Sequence, residues 1–160
     1  MNLRRFFLTF GYSGLLPKAP GTWGTFAGAV VGYLIATMIG FSTLFLLTIL
    51  ISIVAISEID KDEKISGEHD NSEIVVDEVA GIWLTFSIVG ASLTQSWVLV
   101  LLSIGFFRLF DIWKPSIIGR IDTDVKGGLG VMGDDLVAGV VAAICAGGSY
   151  QGFNYILTII

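Results

Sequence analysis

Three long stretches without a charged residue constrain this chain more than any other feature of its sequence. They cover residues 26–57, 79–107 and 136–160. Each stretch is longer than the roughly 20 residues that an α-helix needs to cross the hydrocarbon core of a bilayer. Hydrophobic residues make up 54% of the 160 residues and charged residues only 14%, against about 25% charged residues in soluble domains. We therefore expect a single membrane-embedded domain, since water would not tolerate so much apolar surface.

Helices are the expected spanning elements, because the chain is too short for a porin-like barrel and the apolar runs do not alternate. A single helix over the first run would be about 48 Å long, against a hydrocarbon core of about 30 Å. We therefore expect a hairpin divided at Gly40, with helices over residues 25–39 and 41–57. The second run predicts another hairpin, with helices over residues 73–89 and 95–113.

The last uncharged run predicts a helix that begins at Asp134 or Asp135. Because residues 147–149 interrupt it, this run forms either one span or a span followed by a short returning piece. Arg4, Arg5 and several aromatic residues precede the first run and predict an uncleaved segment at the level of the lipid headgroups. The expected fold is all-α, a polytopic membrane bundle of about four to six helices with an interfacial N-terminal segment.

All charged residues lie between or before the uncharged runs. Each helical hairpin returns the chain to the side it left, so the charged segments should meet at one face of the membrane. Lys and Arg mark the cytoplasmic side, which places the N-terminus and residues 58–73 and 108–134 there. The net charge of −5 argues against nucleic acid as a partner, because nucleic-acid-binding surfaces are basic.

Two adjacent carboxylates, Asp77 and Glu78, stand in the otherwise apolar sequence of residues 74–83. Carboxylates at the mouth of a membrane helix are costly unless they are paired or bind a cation. They could instead cap the helix N-terminus, where negative charge suits the helix dipole. Glu73 is already available for that purpose, so a cation site is the stronger interpretation.

Arg108, Asp111 and Lys114 follow one another at intervals of three residues, so successive pairs can meet on a helix. Pro115 predicts that this helix ends near Trp113. A membrane boundary with an ordinary ion pair would explain the two cations. It would not explain an aspartate among such bulky aromatic residues.

Lys126, Gly127 and Gly128 open a glycine-rich segment whose backbone N–H groups can face a bound anion. The segment also matches the glycine pattern of dinucleotide-binding loops, but no βαβ unit surrounds it. Asp134 and Asp135 follow at the head of an apolar helix. Capping that helix needs only one of the two carboxylates, so the pair is more typical of metal ligands.

Several other phosphatase and metal-binding classes are excluded by the residues present. Residues 122–133 begin like a calcium loop, but the fifth position is Lys and the twelfth is Gly. His69 is the only histidine, which disfavours a lipid phosphatase with a histidine nucleophile and a second histidine. Cys145 has no arginine six positions later, so a cysteine phosphatase is ruled out.

The residues that remain predict a phosphoryl-transfer site at the lipid headgroups. Carboxylate oxygens without His or Cys suit Mg²⁺. The basic side chains Arg108, Lys114 and Lys126 would bind the phosphate oxygens that the metal leaves free. An ion transporter would instead need charges near the membrane midplane, and a purely structural subunit would need no such cluster. The predicted catalytic and metal-binding carboxylates are Asp77, Glu78, Asp111, Asp134 and Asp135.

Four stretches contain these residues. They are KAPGTWGT at 18–25; HD at 69–70, IVVDE at 74–78 and Gly81; FR at 107–108 and DIWKP at 111–115; and GGLGVM at 127–132, DD at 134–135 and AG at 138–139. Together they resemble the phosphatidylglycerophosphatase A family over almost the whole chain. The resemblance implies an all-helical, Mg²⁺-dependent enzyme that hydrolyses phosphatidylglycerophosphate among the membrane lipids. Phosphatases for phosphatidic acid or polyprenyl phosphate remain alternatives.

The resemblance also directs attention to Thr22, Thr25 and Asp70, which lie in the matching stretches and join the predicted substrate-binding residues. Thr22 to Thr25 either supply backbone donors at the start of the first helix or simply cap it. The chain departs from the family pattern at Val76, where Trp is usual, and at Gly133, where an apolar residue is usual. Neither departure removes a charged group.

Overall fold

The computed structural model describes residues 3–67 and 71–159. Over these residues the protein consists of helices joined by short turns and contains no strand, which confirms the all-α prediction. Single 3-10 turns lie at Ser13–Leu15 and Gly90–Gln95. The helices are α1 (Leu3–Leu8), α2 (Pro20–Met38), α3 (Phe41–Ser66), α4 (Val76–Val89), α5 (Trp97–Trp113), α6 (Ile117–Asp124) and α7 (Gly128–Ile159).

Both predicted hairpins are present. Gly40 separates α2 from α3 with a φ of 123°, and Gly90 ends α4 with a φ of 64°, values that residues with a Cβ adopt only under strain. Helix α5 ends at Trp113, as Pro115 predicts. Lys114 then adopts a left-handed conformation and turns the chain into α6.

Helix α3 is longer than predicted. The sequence predicts its end at residue 57, but it continues to Ser66. Its last turns are polar, and an ion pair of 2.5 Å between Glu58 and Lys61, one turn apart, contributes to their helical stability. Gly67, in the left-handed region, then ends the helix.

Helix α7 begins earlier than predicted, and of the two alternatives for its end the structure has one continuous helix. It starts at Gly128 rather than at Asp134 or Asp135, so the expected glycine loop forms its first turns. The side chain of Asp60 on α3 explains this start, because its Oδ1 accepts a hydrogen bond of 2.7 Å from the Gly128 N–H. Residues 147–149 do not interrupt the helix, since each glycine costs only about 1 kcal/mol in a helix interior.

Helix α4 lies at the centre of the bundle, packed against α2, α3, α5 and α7. Its contact with α2 is close because Gly24, Gly28 and Gly32 face it, one turn apart. A Cβ at any of the three would meet α4 or the residue before it within about 3 Å. The Trp83 indole N–H donates a 2.8 Å hydrogen bond to the Gly28 carbonyl across this interface.

The crossing of α4 and α7 is equally close. A Cβ at Gly139 on α7 would lie 2.5 Å from the carbonyl oxygen of Gly81 on α4. The Thr85 hydroxyl lies within hydrogen-bond distance of both glycine carbonyl oxygens, at 2.9 and 3.0 Å. These contacts fix the rotation and height of the two helices relative to each other.

The outer surface of the bundle is apolar. Large side chains such as Leu46, Leu101 and Ile144 are each about two-thirds exposed, although exposed apolar patches are small on soluble proteins. By length and composition α3 and α7 can cross a membrane. The fold is therefore that of a membrane-associated helical protein.

Candidate active site

Eight charged side chains meet at one cavity of the bundle. The first turns of α2 and α4, the end of α5 and the start of α7 surround a cavity of about 230 Å³. The five carboxylates predicted as metal ligands all line this cavity, together with Arg108 and Lys114. We call it the charged cavity.

Asp77, Glu78 and Asp135 form the tightest acidic cluster of the described residues. One carboxylate oxygen of each lies within 4.8 Å of the others. Gly81 and Gly139, at which α4 and α7 cross, each lie one helical turn beyond Asp77 and Asp135. The close crossing of the two helices therefore brings these carboxylates face to face.

The acidic cluster is buried, and some carboxylate oxygens in the charged cavity have no hydrogen-bond partner among the described residues. The Asp135 side chain is almost inaccessible, with the residue 3% exposed. Glu78 Oε2, Asp134 Oδ1 and Asp135 Oδ1 are buried without a hydrogen-bond partner among the described residues. Burying a carboxylate oxygen without a partner is costly. A set of converging carboxylate oxygens fits a hard divalent cation, so this buried acidic group can hold a metal ion.

Asp111 and Asp134 line the same cavity but pair with its cations. Arg108 forms an ion pair with Asp111, and its Nη1 lies 3.9 Å from Glu78 Oε1. Asp135 interacts electrostatically with the carboxylates of Asp111 and Asp134 as well as Asp77. The structure therefore brings all five predicted carboxylates together, three as a compact cluster and two as ion-pair partners beside it.

Arg108 is also held from α2. Its Nη2 lies 3.3 Å from the Thr22 hydroxyl and its Nη1 lies 3.4 Å from the Thr25 hydroxyl. Gly21 packs directly against the Glu78 carboxylate, and a Cβ there would collide with it. The two threonines, predicted to supply backbone donors, thus face the site with their side chains and orient the guanidinium.

Lys114 lies between two carboxylates. Its Nζ donates a 2.7 Å hydrogen bond to Asp134 Oδ2 and a second hydrogen bond to Asp122. Partial burial lowers the pKa of Lys114, but the hydrogen bonds with Asp122 and Asp134 outweigh this effect and raise the pKa above its ordinary value. Lys114 is therefore a fixed positive charge at the rim of the cavity.

Asp122 was missed by the sequence prediction. It lies on α6, which follows Pro115 and folds back over the cavity so that Ile118 is buried. The one signal in the sequence is the mixed apolar and polar pattern of residues 117–124, which is typical of a short amphipathic helix. That pattern predicts the helix but not the contact with Lys114.

The remaining predicted substrate-binding residues lie apart from the charged cavity. Lys126 is exposed and does not line it. Gly127 and Gly128 pack against α3, where Asp60 contacts both. Asp70 lies outside the described residues, as does its neighbour His69.

Fold and site together define an all-helical, membrane-associated protein with a buried acidic site flanked by two cations. The chain belongs to the phosphatidylglycerophosphatase A family, whose family model matches residues 6–149. The resemblance in its sequence motifs is thereby confirmed. No solved structure matches the chain.

Three relatives show the same likeness. Phosphatidylglycerophosphatase A of Haemophilus influenzae is 35% identical over 132 residues, which cover 82% of this chain and 79% of the relative. Phosphatidylglycerophosphatase A of Escherichia coli K12 is 38% identical over 133 residues, covering 82% of this chain and 74% of the relative. A putative phosphatidylinositol-3-phosphatase of Bacteroides thetaiotaomicron is 35% identical over 136 residues, covering 82% and 84%.

Proposed function

We propose that this chain, as one membrane-embedded domain, hydrolyses the terminal phosphomonoester of phosphatidylglycerophosphate to phosphatidylglycerol and phosphate. The family and the names of two relatives support this reaction. The observation that carries the mechanism is the set of buried carboxylate oxygens without hydrogen-bond partners among the described residues, beside Arg108 and Lys114. That combination suits a phosphate ester and a divalent cation, each of which compensates the other's charge.

Asp77, Glu78 and Asp135 would hold Mg²⁺, with Asp111 and Asp134 as further ligands in the same cavity. The supporting observation is chemical: the cluster offers only carboxylate oxygens, which hard cations prefer. A bound Mg²⁺ would offset the charge of the phosphoryl group and lower the pKa of a water molecule.

Arg108 and Lys114 would bind the phosphate. The guanidinium of Arg108 carries five N–H donors in a fixed plane, and Asp111, Thr22 and Thr25 already hold that plane in place. A preoriented guanidinium loses little entropy when it binds phosphate oxygens. Lys114 adds a point charge on the side of α6.

The chemical step is the attack of a water oxygen on phosphorus, with cleavage of the bond between phosphorus and the glycerol oxygen. The proton of the water passes to a carboxylate of the cluster, and the departing glycerol oxygen takes a proton from that carboxylate, directly or through solvent water, to become a hydroxyl group. Glu78, Asp134 and Asp135 each carry a buried oxygen that accepts no hydrogen bond from a described residue. Asp134 is also hydrogen-bonded to Lys114, which makes it a weaker base, so Glu78 and Asp135 are the foremost candidates for the general base.

The proposed setting is a bacterial inner membrane, crossed several times, with the charged cavity at the cytoplasmic face. Helices α2 and α5, of 19 and 17 residues, would be about 28 and 26 Å long, close to the hydrocarbon thickness of about 30 Å. Helices α3 and α7 are long enough to span. Arg108 and Lys114 line the charged cavity, and the bias of Lys and Arg toward the cytoplasm supports placing the cavity on that side.

Phosphate release by the purified protein tests the proposed reaction. We expect turnover with phosphatidylglycerophosphate to exceed turnover with phosphatidic acid, polyprenyl phosphate and phosphatidylinositol 3-phosphate. The last lipid belongs in the panel because one relative carries the name of a phosphatidylinositol-3-phosphatase. Faster release from one of the other lipids would reassign the substrate. Absence of release from every lipid would remove the enzymatic proposal and leave an ion transporter as the alternative.

A further inference from the structure

The outward face of α5 carries an apolar depression that the charged cavity does not include. Its volume is about 340 Å³ and its lining residues are Val98, Leu101, Leu102, Gly105, Phe106 and Leu109. Gly105 leaves it open, since a Cβ there would meet no atom of the described residues within 4 Å. We call this depression the α5 groove.

The α5 groove leads toward the charged cavity. Ile112 lies one turn beyond Leu109 on the same face of α5, is 70% exposed and lines the charged cavity. Arg108, one turn before Ile112, reaches the exposed Thr22 at the edge of α2. Apolar surface and phosphate-binding residues are thus continuous along one side of a single helix.

The dimensions of this surface suit a lipid tail. From Val98 to Ile112 the helix rises about 21 Å, which exceeds the depth of one leaflet's hydrocarbon, about half of 30 Å. Every side chain that lines the groove is apolar, so nothing in it would recognise a headgroup. A ligand that occupied both groove and cavity would need a phosphate at one end and a long apolar chain at the other.

We propose that the α5 groove binds one acyl chain of the lipid whose phosphomonoester enters the charged cavity. This inference rests on the proposed function and names the part of the substrate that the acidic site does not contact. The groove aligns the lipid along α5, so that its headgroup arrives beside Arg108 from within the membrane. Selectivity for lipid over water-soluble phosphomonoesters then arises on α5 and not at the acidic cluster.

Substitution of Gly105 by leucine tests the proposal. The side chain would fill the groove, while the open space around Gly105 and the better helix propensity of leucine keep the fold intact. We expect the KM for dioleoyl phosphatidylglycerophosphate to rise about tenfold, the equivalent of losing part of the apolar contact of one chain. The KM for the deacylated headgroup, glycerophosphoglycerol phosphate, should stay unchanged. Gly152→Leu on α7 is the matched control, since Gly152 is also helical and open.

Three outcomes would contradict acyl-chain binding in the α5 groove. They are an unchanged KM for the dioleoyl lipid in Gly105→Leu, an equal loss with both substrates, and an equal loss in Gly152→Leu. A change of oligomeric state in Gly105→Leu alone would assign this face to a second copy of the chain and would also overturn it.

Photocrosslinking tests whether the α5 groove binds the acyl chain, and this test does not depend on turnover. Phosphatidylglycerophosphate with a diazirine on its acyl chain should label residues 98–109 more strongly than phosphatidylcholine carrying the same group. Equal labelling by the two lipids overturns the groove. If the wild-type protein releases phosphate from neither substrate, the proposed function fails, and the crosslinks still decide the groove on their own.

Discussion

Asp134 shows how a single carboxylate serves both the fold and the site. Its Oδ2 accepts a hydrogen bond from Lys114, while its Oδ1 is buried without a partner among the described residues. Asp134→Asn keeps the shape but removes the charge, and we expect at least about a hundredfold loss of phosphate release. The protein should remain in the membrane fraction, because the apolar helices are unchanged.

Asp124→Asn is the matched control for that variant. Asp124 is exposed on α6 and does not line the charged cavity, so its rate should equal that of the wild type. Full activity of Asp134→Asn would remove Asp134 from the site.

Thr25 tests the orientation of Arg108. Thr25→Val preserves a buried, β-branched side chain but removes the hydroxyl that lies 3.4 Å from the guanidinium. We expect about a fivefold fall in kcat/KM, since the contact is long for a hydrogen bond to a charged group. Arg108→Lys should cost about a hundredfold, because lysine lacks the planar fork.

The double variant of Thr25 and Arg108 separates positioning from packing. If Thr25 acts through Arg108, Thr25→Val should have no further effect in the Arg108→Lys background. Additive losses in this double-mutant cycle would contradict the positioning role.

Residue by residue, the sequence predicts those groups of the site that stand out from their surroundings. Asp77 and Asp111 are recognisable because a charge within an apolar membrane segment is costly and indicates a functional site. Asp60 and Asp122 escape prediction because they lie in polar segments. Gly128, the partner of Asp60, lies 68 residues away and meets it only through the packing of α3 against α7. Lys114, the partner of Asp122, lies eight residues away and meets it only because the turn after α5 folds α6 back.

At the scale of elements, the crossing of α4 and α7 positions the acidic cluster, so it should be intolerant of added volume. Gly139→Ala would place a Cβ 2.5 Å from the Gly81 carbonyl oxygen. We expect overpacking to cost about 1–3 kcal/mol and to lower the thermal unfolding midpoint in detergent by about 5 °C.

Gly152→Ala tests whether that loss comes from the crossing. A Cβ at Gly152 meets no described atom within 4 Å, so its midpoint should be unchanged or slightly raised. An unchanged midpoint in Gly139→Ala would contradict the tight crossing.

Helix existence was easier to predict than helix ends. The hairpins follow from apolar runs divided at Gly40 and near Gly90, which are local features. The start of α7 at Gly128 depends on a cap from Asp60, 68 residues earlier, and local sequence cannot show it. For the same reason the local sequence at the start of α7, which is rich in glycine, predicts a loop, although packing makes these residues helical.

For the whole molecule, the proposed topology places both hairpin turns on the side of the membrane opposite the charged cavity. Single cysteines introduced into a Cys145→Ala background test it with a membrane-impermeant thiol reagent in intact cells. Cysteines in place of Lys64 and Lys126 should react only after the cells are permeabilised. A cysteine in place of Met38, 80% exposed at the end of α2, should react without permeabilisation.

Exchange of the two labelling patterns, with Met38→Cys protected and the two lysine positions reactive in intact cells, would invert the orientation in the membrane and leave the charged cavity intact. Reaction of Lys64→Cys and Lys126→Cys on opposite sides would contradict a shared face for the charged segments. Lys64 lies near the end of α3, after the first hairpin, and Lys126 lies in the turn before α7, after the second, so the two positions report on the two hairpins independently.

The proposed mechanism requires a divalent cation at Asp77, Glu78 and Asp135, which a Mg²⁺ titration of phosphate release from phosphatidylglycerophosphate tests. We expect EDTA to abolish release, Mg²⁺ to restore it, and Asp135→Asn to require at least about tenfold more Mg²⁺ for any remaining activity. Release at the full rate in excess EDTA, or an unchanged Mg²⁺ requirement in Asp135→Asn, would contradict a cation at the acidic cluster.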